Sequence, residues 1–192
     1  MKTIKWIVLS LLMLPMFTSC GYNKMVEMSE SVDAQWAQVE NVYQRRADLI
    51  PNLVNTVKGY AEHEKSTLEA VMEARAKATS VNISADNLTE ESMASFKSAQ
   101  EGLSGALSKL MVVMENYPDL KANQNFLELQ AQLEGTENRI AVERNKYNET
   151  VRVYNTKIKS FPQLIYSGWF GFEKKPFFKA EESAKQAPKV EF

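Results

Sequence analysis

One cysteine and one histidine occur in 192 residues. A lone thiol makes no intrachain disulfide, and with a lone imidazole it supplies neither a Cys-based nor a multi-His metal centre. Glycine and proline are sparse, at seven and six, and no glycine-rich loop is present to cradle phosphate. Gly102 and Gly105 fall inside a helical pattern, where close helix packing is the simpler reading. Positive charge shows no excess, with 23 bases against 24 acids. Nucleic-acid-binding domains carry a basic surplus, so that class of partner is excluded. No apolar run approaches the roughly 20 residues of a spanning helix, and no stretch alternates with period two long enough for a strand. What remains is ordinary globular composition, 44% hydrophobic and 24% charged, in a length that suits one domain.

The first twenty residues, MKTIKWIVLSLLMLPMFTSC, have the layout of a secretory leader. Lys2 and Lys5 form a positive start, residues 6–17 are mostly apolar, and small Thr18 and Ser19 precede Cys20. The only cysteine therefore stands where such a leader is cut. This resembles the bacterial lipobox, although Phe17 occupies a place that the pattern gives to Leu. The resemblance implies cleavage before Cys20, diacylation of its thiol, and attachment to the cell membrane or the outer membrane. Two acyl chains hold a protein on a bilayer where one does not. The alternative is a short uncleaved anchor with an incidental cysteine. The leader carries Lys2, Lys5 and no acid, so its loss leaves 21 bases against 24 acids and a net charge of −3.

Residues 21–160 read as helix almost throughout, rich in Ala, Glu, Gln, Lys, Leu and Met. A first helix, about 23–47, carries the seam Met25, Val32, Trp36, Val39 and Tyr43. Pro51 then opens a second helix, about 51–79, because proline suits a first turn and bars α geometry before it. That helix's stripe is Leu53, Val57, Tyr60, Thr67, Val71, Ala74 and Ala78. If Pro51 only kinks one long helix, the bundle has three members. A polar loop follows at 80–89, and Thr89 caps a third helix, about 90–116. Its seam of Met93, Phe96, Gln100, Leu103, Leu107, Leu110, Met114 and Tyr117 alternates spacings of three and four. Pro118-Asp119 makes the next turn. The fourth helix, about 120–160, aligns Phe126, Leu129, Leu133, Thr136, Ile140, Glu143, Tyr147, Val151, Tyr154 and Ile158. The expected fold is all-α, an antiparallel four-helix bundle of long helices with an aromatic-rich irregular C-terminal tail.

That tail, 161–192, holds Phe161, Tyr166, Trp169, Phe170, Phe172, Phe177, Phe178 and Phe192 between structure-breaking prolines and glycines. Its rings are expected to wrap back over the end of the bundle. In an up-down-up-down bundle, the start of the first helix and the end of the fourth share one end. Trp169, Phe170, Phe172, Lys174 and Lys175 are therefore candidates for contact with the membrane interface.

Catalytic patterns fail. His63-Glu64 begins like HExxH, but Thr67 occupies the place of the second histidine, and no Gly-x-Ser-x-Gly elbow frames a serine. The carboxylates Glu134, Glu137 and Glu143 lack a Glu-x-x-His partner, so ion pairs, with Arg139 among them, explain them better than metal. No cofactor is expected. Two polar stretches remain, with Arg45, Arg46 and Asp48 in one and Glu137, Asn138, Arg139 and Glu143 in or near the other. Arg46 and Glu143 fall on seam positions. A buried polar layer that fixes helix register is the expected role, and contact with a partner is the second.

The stretches QRRADLIPNLVNTVKGYAEHE (44–64), LEGTENRIAVERNKYN (133–148), Val153-Tyr154-Asn155-Thr156 and Phe161-Pro162 resemble the LemA family across residues 22–178. The resemblance implies a helical ectodomain of a bacterial envelope protein on the non-cytoplasmic side, and it carries no catalytic residues. Most relatives have an uncleaved N-terminal membrane helix; the short leader and Cys20 depart from that. Together the readings predict a non-enzymatic, membrane-anchored scaffold or interaction module that meets an unidentified envelope protein. The alternative is a lipid-binding or membrane-remodelling module acting through the tail.

Overall fold

The computed structural model describes residues 2–179, the side chains of 2–20 and of Asp86 excepted. The Cys20 thiol and the outer tail with Phe192 therefore lie outside the described parts. Among the described residues every regular element is helical and none is a strand. The elements are α1 (Lys2–Lys58), α2 (Lys65–Ser80), α3 (Glu90–Met114), α4 (Pro118–Lys121), α5 (Gln124–Lys159) and α6 (Gln163–Tyr166). Four of these, α1, α2, α3 and α5, are long.

The expectation of a new helix at Pro51 is overturned. α1 runs through it for 57 residues. A proline inside a helix leaves the carbonyl four residues earlier without its donor. Here that carbonyl is Ala47 O, and Arg75 Nε from α2 donates to it at 2.7 Å. Ile50 just before the proline and Leu53 and Val57 beyond it are fully buried. Each contributes on the order of 1.5–3 kcal/mol, enough together to offset a proline cost of about 3 kcal/mol. The break falls instead at Gly59 and Tyr60, followed by a 3-10 turn at Glu62–Glu64. Because α2 restarts there, its buried face is Leu68, Val71 and Ala78. Tyr60 of the expected stripe is exposed and Thr67 is half-buried.

The other seams lie where the periodicity predicts. Met25, Val32, Trp36, Val39 and Tyr43 are buried. In α3 the seven seam residues from Met93 to Met114 are buried. Thr89 accepts from Ser92 N at 3.1 Å while Thr89 N donates to Ser92 Oγ at 2.9 Å, so two free N–H groups are satisfied reciprocally. The final long helix begins later than expected, at Gln124, with Asn123 Oδ1 accepting from Phe126 N at 3.0 Å. The loop after α2 is not wholly polar. Ile83 and Leu88 are buried, and Trp36 Nε1 donates to Ile83 O at 3.0 Å.

α1 packs chiefly on α5, α2 on α3, and α1 also on α2. Partners of α1 descend in number as α1 ascends. Gln35 meets Glu143, Arg46 meets Glu137, and Tyr60, just past α1, meets Asn123. α1 and α5 thus run in opposite directions. Beyond α6 and a 3-10 turn at Gly168–Phe170, Gly171 takes φ +76°, a conformation that costs a side-chain-bearing residue most. Residues 171–179 then lie back along α5. Asn155 and Asn148 hold the backbone of Lys175 and Phe178 through paired bonds of 2.8–3.0 Å. Tyr147 Oη donates to Pro176 O at 3.1 Å. Phe178 is buried between Trp36 and Tyr147, with ring centroids 5.9 and 5.4 Å away.

Candidate functional site: a buried polar layer and an aromatic end

Two apolar clusters make the core. One gathers Met25 to Tyr43 with Phe96, Tyr147, Tyr154 and Phe178; the other gathers Ile50 to Ala78 with Leu103 to Leu133. Between them lies one polar level. The buried residue between Tyr43 and Ile50 is Arg46 (with Ala47 beside it), that between Phe96 and Leu103 is Gln100, and that between Leu133 and Ile140 is Thr136. The seams of α1, α3 and α5 therefore turn polar together.

Arg46 is the centre of this level. Its Nη1 donates to Glu137 Oε1 at 2.5 Å and to Ser104 Oγ at 2.8 Å. Its Nη2 donates to Gln100 Oε1 at 2.6 Å and to Gln100 O at 3.2 Å. Gln100 passes the link on, with Nε2 donating to Ala78 O at 3.2 Å. Thr136 Oγ1 donates to Gln132 O, four residues back in its own helix. The guanidinium also lies over the Tyr43 ring, 5.2 Å from its centroid. Burial pushes the Tyr43 phenol up, opposed by the nearby charges of Arg144 and Arg46.

The sequence-predicted polar residues divide. Arg46 and Glu137 meet in this layer. Glu143 lies two turns away, half-buried, accepting from Gln35 Nε2 at 2.8 Å and Lys146 Nζ at 2.9 Å. Lys146 and Gln35 hold its carboxyl below the usual carboxylate range. Asp48 accepts from Gln44 on the surface of α1, and Arg45, Asn138 and Arg139 are exposed. Thr136 lies in the second polar stretch of the sequence, whereas Gln100 and Ser104 of α3 lie in neither. The available signal was that Gln100 and Thr136 are polar residues in otherwise apolar seams.

Gly102 and Gly105 do not serve close packing. A methyl group on either meets nothing within 4 Å, and both line an open groove between α2 and α3. His63 is exposed on the 3-10 turn, and among the described residues no three His, Cys, Asp or Glu side chains gather to hold a metal ion.

At the other end of the molecule α6 rests on the start of the described side chains. Tyr166 Oη and Gln163 Nε2 approach Gly21 so closely that a Cβ there would lie 2.4 and 3.3 Å from them. The Tyr22 ring packs edge-on against Phe170 and Phe172, with centroids 5.1 and 5.6 Å apart. Of the candidate interface residues, Trp169, Phe170 and Lys174 are exposed. Phe172 is half-buried, and Lys175 is turned inward, donating to Asp33 Oδ1 and Ala85 O at 3.2 Å each. Lys175 is therefore committed to α1 rather than offered to a bilayer. Among the described residues no helix is long and apolar enough to cross a membrane.

Among the described residues the fold thus defines an all-helical protein with a buried polar layer and an exposed aromatic end. The sequence model of the LemA family matches residues 35–192, and the chain belongs to that family. It is 27% identical to magnetosome protein MamQ 2 of Paramagnetospirillum magneticum, over 87% of this chain and 67% of that one. It is 25% identical to magnetosome protein MamQ of Magnetospirillum gryphiswaldense, over 82% of this chain and 64% of the relative. Protein LemA of Metamycoplasma hominis is 23% identical, over 77% and 60%. The chain thus spans about two thirds of the length of these relatives.

Proposed function

We propose that this protein is a non-enzymatic, membrane-anchored scaffold or interaction module of the bacterial cell envelope, built as an antiparallel bundle of its four long helices. One observation carries the reading. α1 runs from Cys20 into the core without a break, so lipid on that residue attaches to a bundle helix and not to a loose linker. The bundle therefore starts at the membrane surface. From Gly21 to Lys58 the helix extends roughly 55 Å at ~1.5 Å per residue. The polar layer fits a framework role, since buried hydrogen-bonded charge is costly to misalign and so specifies one register. The magnetosome proteins among its relatives support placement at a membrane. In this reading Cys20 is the lipidated first residue, the leader 1–19 is removed, and the bundle stands on the non-cytoplasmic side. Its partner is an envelope protein met along the bundle surface.

The test is the intact mass of protein extracted from native membranes. A species beginning at Cys20 with added diacylglyceryl mass is expected. A species retaining residues 1–19 without lipid would replace the lipoprotein with an uncleaved anchor. A second reading, a lipid-binding or remodelling module, is favoured by the exposure of Trp169 and Phe170.

A further inference from the structure

The exposed large apolar side chains are unevenly spread. Five of them fall within ten residues: Phe161 and Trp169, each 82% exposed, with Leu164, Ile165 and Phe170, each more than half exposed. They flank or belong to α6 and the 3-10 turn after it. An exposed apolar group of this kind marks a contact surface rather than ordinary surface scatter. The opposite side of the same segment is fixed to the molecule. Tyr166 and Gln163 are buried against Gly21, Phe170 touches Tyr22, and Ser167 Oγ donates to Ile158 O at 3.2 Å.

The position decides the occupant. Gly21 is one residue from Cys20 and, along a helix rising ~1.5 Å per residue, about 6 Å from Phe17, where the apolar stretch ends. Any bilayer holding residues 6–17 or acyl chains on Cys20 therefore begins beside α6. Aromatic side chains favour that headgroup level, and lysines beside them meet anionic lipid. Lys159 and Lys174, both exposed, bracket the segment.

We infer that Phe161, Leu164, Ile165, Trp169 and Phe170 form a collar around the base of α1 that seats on the lipid interface, with α6 as its rigid backing. The occupant is the bilayer surface, not a second protein. The collar rests on the anchoring reading above only in placing α1 at a membrane; either a lipidated Cys20 or an uncleaved apolar segment serves. Trp169 and Phe170 are interface candidates of the sequence as well; Phe161, Leu164 and Ile165 join them here, while Phe172 and Lys175 drop out because they pack on the bundle.

The experiment places a photo-crosslinking amino acid singly at Ile165, Trp169 and, as a control, Val112, an exposed apolar residue of α3. Full-length protein is irradiated in native membranes, and carbonate washing of the same membranes reports anchoring. Expected are lipid adducts at positions 165 and 169 and none at 112. Trp169→Ser with Phe170→Ser should abolish the adducts at 165 while the protein stays membrane-bound. Protein adducts, a second copy included, or no adducts at 165 and 169 in wash-resistant protein would overturn the collar and leave the anchor intact. Release of the protein by carbonate would instead overturn the anchoring reading.

Discussion

Removing the carboxylate of Glu137 is the sharpest probe of the polar layer. The Arg46 side chain is 2% exposed, whereas that of Glu137 is 46% exposed. Glu137→Ala leaves the guanidinium buried with only the neutral partners Ser104 and Gln100. Breaking a fully buried pair by removing one member costs about 3–5 kcal/mol, and breaking an exposed pair costs about 0–1 kcal/mol. A half-exposed carboxylate on a buried arginine falls between, at about 2 kcal/mol, or roughly 4–8 °C in Tm for a chain of this size. Arg46→Met keeps most of the volume and discards the charge. Glu137 then returns to water, and the main penalty is the Gln100 side-chain oxygen left without its donor, about 1–2 kcal/mol. With Arg46 gone, Glu137→Ala should add almost nothing. The double-mutant cycle should therefore show coupling of about 2 kcal/mol, well above the roughly 0.5 kcal/mol scatter of independent sites. Urea unfolding followed by far-UV circular dichroism measures all four corners. An additive cycle, or a Glu137→Ala variant as stable as the parent, would refute the view that Glu137 holds Arg46 in place.

Other perturbations follow from the same contacts. Phe178→Ala empties a site between Trp36 and Tyr147 and should cost about 2–4 kcal/mol, toward the lower part of the range for buried phenylalanine because the tail end relaxes; thermal melts with Trp36 emission check it, and a loss under about 0.5 kcal/mol would mean the tail is not part of the core. Gly21→Val drives a side chain into Tyr166 and should raise amide exchange over residues 163–178 while leaving α3 protected; unchanged exchange would show that α6 docks without this close approach. Arg75→Met leaves Ala47 O without a donor at the proline and should cost about 1–2 kcal/mol, with faster exchange around residues 47–52; an equal effect in α5 amides would point to global rather than local loosening. The pH limbs have opposite signs. Glu143 has its folded pKa below the 4.5 of a free carboxyl, so its contribution is full above that value and is lost as pH falls, and Glu143→Gln should flatten the acid limb of urea stability. Burial, with Asp33 adding to it, raises the Tyr147 phenol above its ordinary 10, so its contribution is full below pH 10 and lost as pH rises; the ultraviolet titration of tyrosinate should show a class that ionises only on unfolding.

Sequence by itself determined the helical character and most of the core. Spacings of three and four need only a regular helix to align them, so the seams of α3 and α5 were legible before any neighbour was known. The Thr89 cap was legible for the same reason, since capping is a contact within a few residues. The charge of Arg46 on a seam announced a polar layer, but not that Glu137, 91 residues away, would be its counter-ion. Tertiary structure alone decided the rest. Pro51 stays helical because a side chain from 28 residues away satisfies the carbonyl it leaves bare. The break moves to Gly59, and with it the face that α2 buries. Gln100 joins Arg46 because α1 and α3 meet at that level, a distance of 54 residues along the chain. Lys175 turns inward because Asp33 is there to receive it, and Trp169 is left outward because α6 spends its other face on Gly21. Periodicity is a property of one segment, whereas a missing donor, a counter-ion or an open side is a property of what packs against it.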